Sequence, residues 1–198
     1  SWINPGGGGT VASTSAIASP SGTQTGNLAI TALNSGFKRR QTLVSASVIA
    51  SFYAKAQEYS FVYANNDNGS GWVCFDLETE SITTGHPGFT GEIIAVGNGW
   101  YRCVAYFPLG VLGANALITI GVRENSGGAY TASTANGTSG AYLWGAQLEA
   151  GAFPTSYIPT SGATATRAAD DCSIPVSAFG YNNRQYSLLL QASSLAPD

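Results

Sequence analysis

The chain has 198 residues, of which 44% are hydrophobic and 10% are charged, and its formal net charge is −3. This length suits one all-β domain, or one domain with a short tail. The basic residues are scattered apart from Lys38-Arg39-Arg40, so the chain lacks the basic face that neutralises phosphates in nucleic-acid binders. No apolar run approaches the roughly 18 residues that span a bilayer. We therefore expect neither a nucleic-acid partner nor membrane insertion.

The N-terminal third combines a glycine run with weak strand signals. Residues 1–9 include four successive glycines, which leave the backbone almost unconstrained, so we predict a flexible segment there. Trp2 either anchors back onto the domain, the favoured interpretation, or touches a partner. Thr10 to Ala18 and Asn27 to Leu33 are β-tolerant. Lys38-Arg39-Arg40 is predicted to be a solvated turn or a charged guard on an edge strand.

The longest strand signal runs from Gln41 to Ala56, where small or apolar residues alternate with polar ones. One face of this strand is predicted to be core and the other solvent-exposed. The core positions are Val44, Ala46, Val48, Ala50, Phe52 and Ala54, and the solvent positions are Ser45, Ser47, Ser51 and Lys55.

Two hairpins and one further strand are predicted next. The Asn-Gly pair in Gly97-Asn-Gly99 favours a tight hairpin turn, and the polar run from Asn65 to Gly71 favours a hairpin tip. Glu78 to Gly91 has the composition of a turn-rich connection. The predicted strands are Tyr59 to Ala64, Trp72 to Leu77, Ile93 to Val96, Trp100 to Phe107 and Leu117 to Arg123.

The chain is organised around the run from Gly140 to Thr160. Its first half alternates as a core strand does, with Tyr142, Trp144, Ala146 and Leu148 on one face and Leu143, Gly145, Gln147 and Glu149 on the other. Glycine and proline then prevent a helix or a central strand. We therefore predict an extended strap over the domain, carrying Phe153, Tyr157 and Ile158.

The composition changes after Asp171. Residues 10–171 are predicted to form one sandwich module, and 172–198 a linker with a strand at Tyr186 to Gln191. That strand either starts a second module or docks on another subunit, since a lone strand needs a partner edge. The three cysteines, Cys74, Cys103 and Cys172, have no metal-ligand spacing and are predicted to be reduced, consistent with assembly in a reducing cytoplasm.

Several motifs occur in an order that resembles a β-sandwich module of bacteriophage tail-fibre and other virion proteins, similar in outline to jelly-roll carbohydrate-binding modules. The motifs are Trp2, Thr10-Val-Ala, Ser19-Pro-Ser-Gly-Thr-Gln-Thr, Ser51-Phe-Tyr-Ala-Lys-Ala56, Val96-Gly-Asn-Gly-Trp-Tyr-Arg-Cys103, Trp144-Gly-Ala-Gln-Leu-Glu149, Thr155-Ser-Tyr-Ile-Pro-Thr160 and Ala165-Thr-Arg-Ala-Ala-Asp170. They span residues 2 to 171. The resemblance implies an all-β antiparallel jelly-roll sandwich on a virion surface, with other virion subunits as partners and a homo-oligomeric state.

Catalysis is not indicated by the sequence. Glycan hydrolysis needs two carboxylates placed across one bond, whereas the acids here are mostly singletons in loops or on polar strand faces. They include Glu58, Asp76, Glu78, Glu80, Glu92, Glu124 and Glu149. The sole histidine, His86, lies in a Gly-Pro loop and is predicted to be structural. Asn65, Asp67 and Asn68 lack the further carboxylates that calcium usually requires. We predict no enzyme activity, no cofactor and no metal.

Binding is better supported, because aromatic rings stack on the apolar faces of sugars and polar side chains contact their edges. The predicted ligand-binding residues are Tyr53, Trp72, Asn65, Asp76 and Arg123, with Tyr63, Trp100, Tyr142 and Arg102 as further aromatic or polar neighbours. Together with the resemblance, this predicts a phage virion structural protein, in a tail fibre, head fibre or capsid decoration, that attaches to host surface glycan. The alternatives are a purely architectural capsid or tail cement protein and a glycan-cleaving enzyme.

Overall fold

The computed structural model describes residues 10–12, 17–23, 26–30, 37–39, 47–66, 71–108, 110, 118–124, 139–160, 163–166 and 175. The chain divides into two compact units, Ser1–Ala163 and Thr164–Asp198. All described strands belong to the first unit. The predicted flexible segment 1–9, Cys172 and the predicted strand at 186–191 lie outside the described residues. The boundary between residues 171 and 172 stays a prediction.

Regular structure in the described part of the chain consists entirely of β-strands. They are β1 (Thr10–Ala12), β2 (Asn27–Ile30), β3 (Phe37–Arg39), β4 (Val48–Ala56), β5 (Phe61–Asn66), β6 (Gly71–Asp76), β7 (Ser81–Thr84), β8 (Thr90–Gly97), β9 (Trp100–Phe107), β10 (Ile118–Arg123) and β11 (Gly140–Ala150). Within those same ranges, no helix has the length and apolar character that crossing a bilayer requires.

The strands form two antiparallel sheets. The first sheet has the order β1-β2-β11-β4-β9-β8, and the second has the order β3-β10-β5-β6-β7. Consecutive strands from β2 to β5, and again from β9 to β11, alternate between the sheets. The chain therefore crosses repeatedly from one layer to the other, and the predicted all-β antiparallel sandwich is confirmed.

The core lies between the two sheets and is formed by alternate residues of the central strands. Phe52 of β4 contacts Phe75 of β6 edge to face, with ring centroids 5.9 Å apart. Burial of one such side chain stabilises a fold by roughly 1.5–3 kcal/mol. Alternation predicted the core face of β4, which is buried at Val48, Ala50, Phe52 and Ala54.

The opposite face of β4 differs from the prediction. Ile49 and Ser51 point away from the core, yet they are only 1% and 3% exposed. In a two-layer sandwich this face would be solvated, but the segment after β11 crosses it, as described below. The prediction of a solvent-exposed serine face was therefore wrong at Ser51, because periodicity does not report a covering segment.

Strand β11 is central in the first sheet, as predicted, but its alternation is interrupted. Its pairing with β4 jumps from Trp144 opposite Tyr53 to Gln147 opposite Ser51. Gly145 has a φ of 58°, which indicates a β-bulge with glycine in the left-handed region. The bulge places Trp144 and Gln147 on the same outer face, so the predicted continuous alternation from 142 to 149 was wrong.

The short strands β3 and β7 end the second sheet among the described strands. The predicted connection from Glu78 to Gly91 contains the edge strand β7, which its turn-rich composition concealed. Lys38 and Arg39 lie on β3, which ends the second sheet among the described strands, so these two residues are not in a turn, and the role of an edge guard stays a prediction. The predicted hairpin at Gly97-Asn-Gly99 is also present, joining β8 to β9.

Candidate functional site

Four of the five predicted ligand-binding residues lie on the outer face of the second sheet, the face turned away from the core. Arg123 is on β10, Asn65 is on β5, and Trp72 and Asp76 are on β6. These three strands are adjacent in the order β10-β5-β6, and Asn65 is directly opposite Trp72. The sheet therefore brings together residues that are 58 positions apart in sequence, from Asn65 to Arg123.

Arg123 is at the centre of this group. Its guanidinium carbon lies 4.3 Å from the ring centroid of Tyr63 and 5.4 Å from that of Trp72. Both distances are within the range of cation–π attraction, which favours a positive charge over an aromatic face. Tyr63 is 2% exposed, whereas Trp72 and Arg123 are half-buried. We call Tyr63, Asn65, Trp72 and Arg123 the aromatic–arginine cluster.

Trp72 is held in place by the loop after β7. The Gly85 N–H donates to the Trp72 carbonyl at 2.8 Å. The indole lies so close to Gly85 that a Cβ at this glycine would be 2.4 Å from Trp72 Nε1. Any larger residue at position 85 would therefore displace the ring. Sequence reasoning missed this support, because Gly85 lies in the turn-rich connection from Glu78 to Gly91.

Asp76 lies on the same strand as Trp72, but its role is to stabilise the turn between β6 and β7. Its carboxylate accepts hydrogen bonds from the Glu78 N–H at 3.0 Å and from the Thr79 hydroxyl at 2.6 Å. Partial burial acts to raise the pKa of this carboxyl, but the hydrogen bonds from Thr79, Glu78 and Ser60 outweigh it and hold the pKa below its ordinary value. Asp76 thus stays ionised and closes the turn between β6 and β7.

Tyr53 is not part of this group, because it lies on the outer face of the first sheet. Its ring contacts Trp144 with centroids 5.2 Å apart, and the guanidinium carbon of Arg102 is 6.0 Å from its centroid. Tyr53 is half-buried. The predicted set of five residues is therefore divided between the two outer faces of the sandwich.

A strap, defined here as residues 154–158, covers the outer face of the first sheet beside Tyr53. Tyr157 packs on Trp144 with ring centroids 4.6 Å apart. The Ile158 N–H donates to Gln147 Oε1 at 2.8 Å, and Arg102 donates through Nη2 to the Thr155 carbonyl. The predicted strap is thus present, although Phe153 does not pack beneath it and is 73% exposed.

Glu149 fastens the start of the strap. Its carboxylate accepts hydrogen bonds from the backbone N–H of Thr155, at 3.2 and 3.3 Å, and from the Thr155 hydroxyl. Charge-assisted hydrogen bonds of this kind are stronger than neutral ones. The run at 144–149 therefore holds the strap in three ways. Trp144 packs against Tyr157, and Gly145 forms the bulge. Gln147 and Glu149 accept hydrogen bonds from the strap backbone.

Two further predicted aromatic platforms lie on the first sheet. Trp100 is 2% exposed, and its Nε1 donates to the Ala18 carbonyl at 3.0 Å. Tyr142 is half-buried and is opposite Lys55. Trp100 therefore fixes the loop before β2 and offers no surface for a ligand.

Three more of the carboxylates noted in the sequence hold local structure. The Glu58 carboxylate accepts from the Gly140 N–H at 3.2 Å, Glu80 accepts from the Tyr101 hydroxyl at 3.1 Å, and Glu92 accepts from the Tyr106 hydroxyl at 2.9 Å. Burial, followed by the contact with Glu92, raises the pKa of Tyr106 to about 12.

His86 lies in the loop between β7 and β8, and a small cavity lies between the two sheets. His86 Nδ1 accepts from the Gly88 N–H at 3.0 Å and its ring contacts Phe89, as expected of a structural histidine. Among the described ranges, no group of three His, Cys, Asp or Glu residues could hold a metal ion. A cavity of about 10 Å³, lined by Ala50, Ile118, Ile120, Ala146, Gln147 and Leu148, has room for about one water molecule.

Comparison with known proteins gives no family for this chain. No protein-family model matches it, and no curated protein matches it significantly.

Proposed function

We propose that the chain is a structural protein of a bacteriophage virion, in a tail fibre, head fibre or capsid decoration, whose sandwich binds host surface glycan. The virion assignment rests on the ordered motifs between residues 2 and 171. The alternation of β2–β5 and β9–β11 between the sheets supports the finer proposal of a jelly-roll topology. In this proposal the protein assembles in the bacterial cytoplasm with other virion subunits and is exposed on the particle surface.

The single observation that supports glycan binding is the aromatic–arginine cluster. Trp72 is half-buried, so part of its indole remains accessible, and Arg123 lies over it. A sugar presents apolar C–H faces and polar edges, which are complementary to an accessible ring beside a guanidinium group. Asn65 is only 3% exposed, so its amide lies beneath this surface and is not offered to the sugar. The buried Tyr63 supports Arg123 from the other side, so the donors are preorganised on a rigid sheet.

Glycan-array screening of the whole chain, followed by titration of the best ligand, tests this proposal. Trp72→Ala should weaken binding roughly 10-fold or more, as truncation of a central aromatic contact does. Gly85→Ala should weaken it as well, because the new Cβ displaces the indole. Tyr142→Ala is the matched control, since it removes a half-buried ring from the other sheet.

Two outcomes would refute the proposal that the sandwich binds glycan. One is the absence of any glycan binding by the wild-type chain at high protein concentration. The other is equal loss of affinity in Trp72→Ala and Tyr142→Ala, which would indicate general destabilisation. Either result leaves the virion role standing as a separate proposal.

A purely architectural cement role is the second candidate. It is favoured by the strap, which covers the outer face of the first sheet and so removes an aromatic surface from contact with ligands. Under this proposal, deletion of residues 172–198 abolishes particle assembly while the first unit stays folded. Normal assembly of the truncated chain would count against it. A glycan-cleaving activity is the weaker third proposal, and it requires two carboxylates within about 10 Å in one cleft.

A further inference from the structure

The outer face of β4 is covered by the strap at one end only. Along this face Ile49 is 1% exposed and Ser51 is 3% exposed, whereas the next two outer residues, Tyr53 and Lys55, are half-buried. The covered part therefore ends beside Tyr53, where the strap forms a wall next to an accessible area of the first sheet.

Arg102 lies in this area, on the strand next to β4. It is directly opposite Tyr53 in the pairing of β4 with β9, and its guanidinium carbon is 6.0 Å from the Tyr53 ring centroid. Lys55 follows Tyr53 on the same face of β4, so the ring has a cationic residue on two sides. We call Tyr53, Lys55 and Arg102 the strap-edge site.

Both cations of the strap-edge site donate to neutral backbone carbonyls. Arg102 donates through Nη2 to that of Thr155. Lys55 donates through Nζ to that of Asn98 at 2.7 Å. Neither side chain forms an ion pair with any residue that the structure describes. Arg102 Nε is also buried without a hydrogen-bond partner in those same ranges, and an unsatisfied buried donor is destabilising. Both positive charges can therefore bind an anionic group.

The acidic residues of β8 and β11 are engaged with other partners. Glu92 accepts a hydrogen bond from the Tyr106 hydroxyl at 2.9 Å. Glu149 accepts one from the Thr155 N–H at 3.2 Å. The positive charges of the strap-edge site are therefore not neutralised by these carboxylates. Because charges near a protein surface interact more strongly than charges in bulk water, this half-buried site favours an anionic ligand.

We propose that the strap-edge site binds a sugar that carries a carboxylate, such as a uronic acid unit of an acidic polysaccharide. Arg102 binds the carboxylate by charge-assisted hydrogen bonds, and the apolar C–H face of the sugar ring packs on Tyr53. Lys55 donates to an oxygen of the neighbouring sugar unit. An inorganic anion gains nothing from the aromatic ring, and a neutral sugar gains no ion pair, so this combination of groups favours an acidic sugar.

The strap-edge site is separate from the aromatic–arginine cluster. It lies on β4 and β9 of the first sheet, whereas the cluster lies on β10, β5 and β6 of the second. The proposal therefore does not depend on glycan binding by the cluster.

Isothermal titration calorimetry of the full chain tests this site with a trisaccharide of galacturonic acid and, as the neutral counterpart, its methyl ester. The acid should bind with a Kd of about 0.1–1 mM, and the ester should bind roughly 10-fold more weakly or not at all. Arg102→Gln and Lys55→Gln should each weaken binding of the acid about 5-fold or more, because each removes a charged donor. Tyr53→Leu should weaken it as well, since the stacking surface is lost.

Two control variants should bind the acid as the wild type does. Thr84→Glu lowers the net charge by the same amount at an exposed position of the second sheet, and Trp72→Ala removes a ring of the aromatic–arginine cluster. Lys55→Gln leaves the hydrogen bond between Arg102 and Thr155 in place, so its effect does not come from a loosened strap. Thermal unfolding confirms that every variant is folded.

The proposal is overturned by the absence of binding at about 10 mM trisaccharide, by equal affinity for acid and ester, or by unchanged affinity in Lys55→Gln and Arg102→Gln. Displacement of the trisaccharide by equimolar inorganic sulfate would show a general anion site and would overturn it too. Loss of acid binding in Trp72→Ala would assign the acid to the aromatic–arginine cluster instead. Binding of the acid that is lost in Lys55→Gln, in a chain that binds no neutral glycan, would support the strap-edge site and refute the cluster.

Discussion

Gly145 shows how one residue can determine the shape of a central strand. Its φ of 58° is a conformation that residues with a side chain adopt at a cost of about 1–2 kcal/mol. A Cβ there would also lie 3.1 Å from Tyr53 Cδ2 and 3.5 Å from the Tyr157 ring. The backbone conformation therefore favours glycine, and a Cβ would in addition press on the Tyr53 ring, while its distance to Tyr157 is an ordinary contact.

Gly145→Ala should lower the free energy of unfolding by about 2–3 kcal/mol, because backbone strain and crowding against Tyr53 act together. Urea denaturation measures this loss. Gly97→Ala is the matched control, since Gly97 has a φ of 90° but nothing within 4 Å of a Cβ. An equal loss in both variants would show that the contact with Tyr53 contributes nothing.

At the scale of single residues, the sequence predicted candidate ligand-binding residues better than it predicted which residues lie next to them. Trp72, Asn65 and Arg123 were predicted as neighbours of a ligand, and the sheet does place them together. Tyr53 was grouped with them, but it lies on the other sheet, because sequence patterns give the face of a strand without assigning the strand to a sheet. Gly85 was missed because a close approach between a glycine and an indole leaves no local pattern.

At the scale of elements, the strap converts an outer sheet face into an interior one. Proline and glycine after β11 correctly predicted an extended segment, since neither helix nor central strand accommodates them. The contacts that hold this segment could not be predicted, because they depend on the bulge that turns Gln147 toward the strap. The half-buried Trp144 thus packs against the chain itself.

Gln147→Ala should loosen the strap, because it removes the acceptor of the Ile158 N–H bond. Loss of this partly buried hydrogen bond should cost about 1–2 kcal/mol. Hydrogen exchange at the Ile158 amide should accelerate, and Trp144 fluorescence should change as Tyr157 moves away from its ring. Thr160→Ala, at an exposed position, serves as the control. Unchanged exchange at Ile158 would mean that other contacts hold the strap.

At the scale of the whole molecule, more of the fold than of the candidate site could be predicted from the sequence. Period-two alternation along β4, β9 and β10 is sufficient to predict strands with a buried face, and Val48, Ala105 and Ile120 are buried as that pattern requires. Pairing between strands that are distant in sequence, such as β11 with β2 and β4, follows from tertiary packing. For that reason the sequence predicted a sandwich but not which residues share an outer face.

Two buried cysteines allow a test of whether the sheets unfold together. Cys74 lies in β6 of the second sheet and Cys103 in β9 of the first, and both are free. Burial raises the pKa of Cys74 to about 11 and raises the pKa of Cys103 well above its ordinary value. Because the thiolate is the reactive species, neither should react with a thiol reagent in the folded protein at about pH 8.

In a Cys172→Ser variant, thiol labelling should therefore report only on the unfolding of the sandwich. If the core between the sheets is one cooperative unit, Cys74 and Cys103 become labelled with the same denaturant midpoint. Mass spectrometry of the two cysteine-containing peptides resolves them, and the fully denatured chain provides the reference for complete labelling. Earlier labelling of Cys74 would show that the second sheet opens by itself, which the interlocking of Phe52 and Phe75 should prevent.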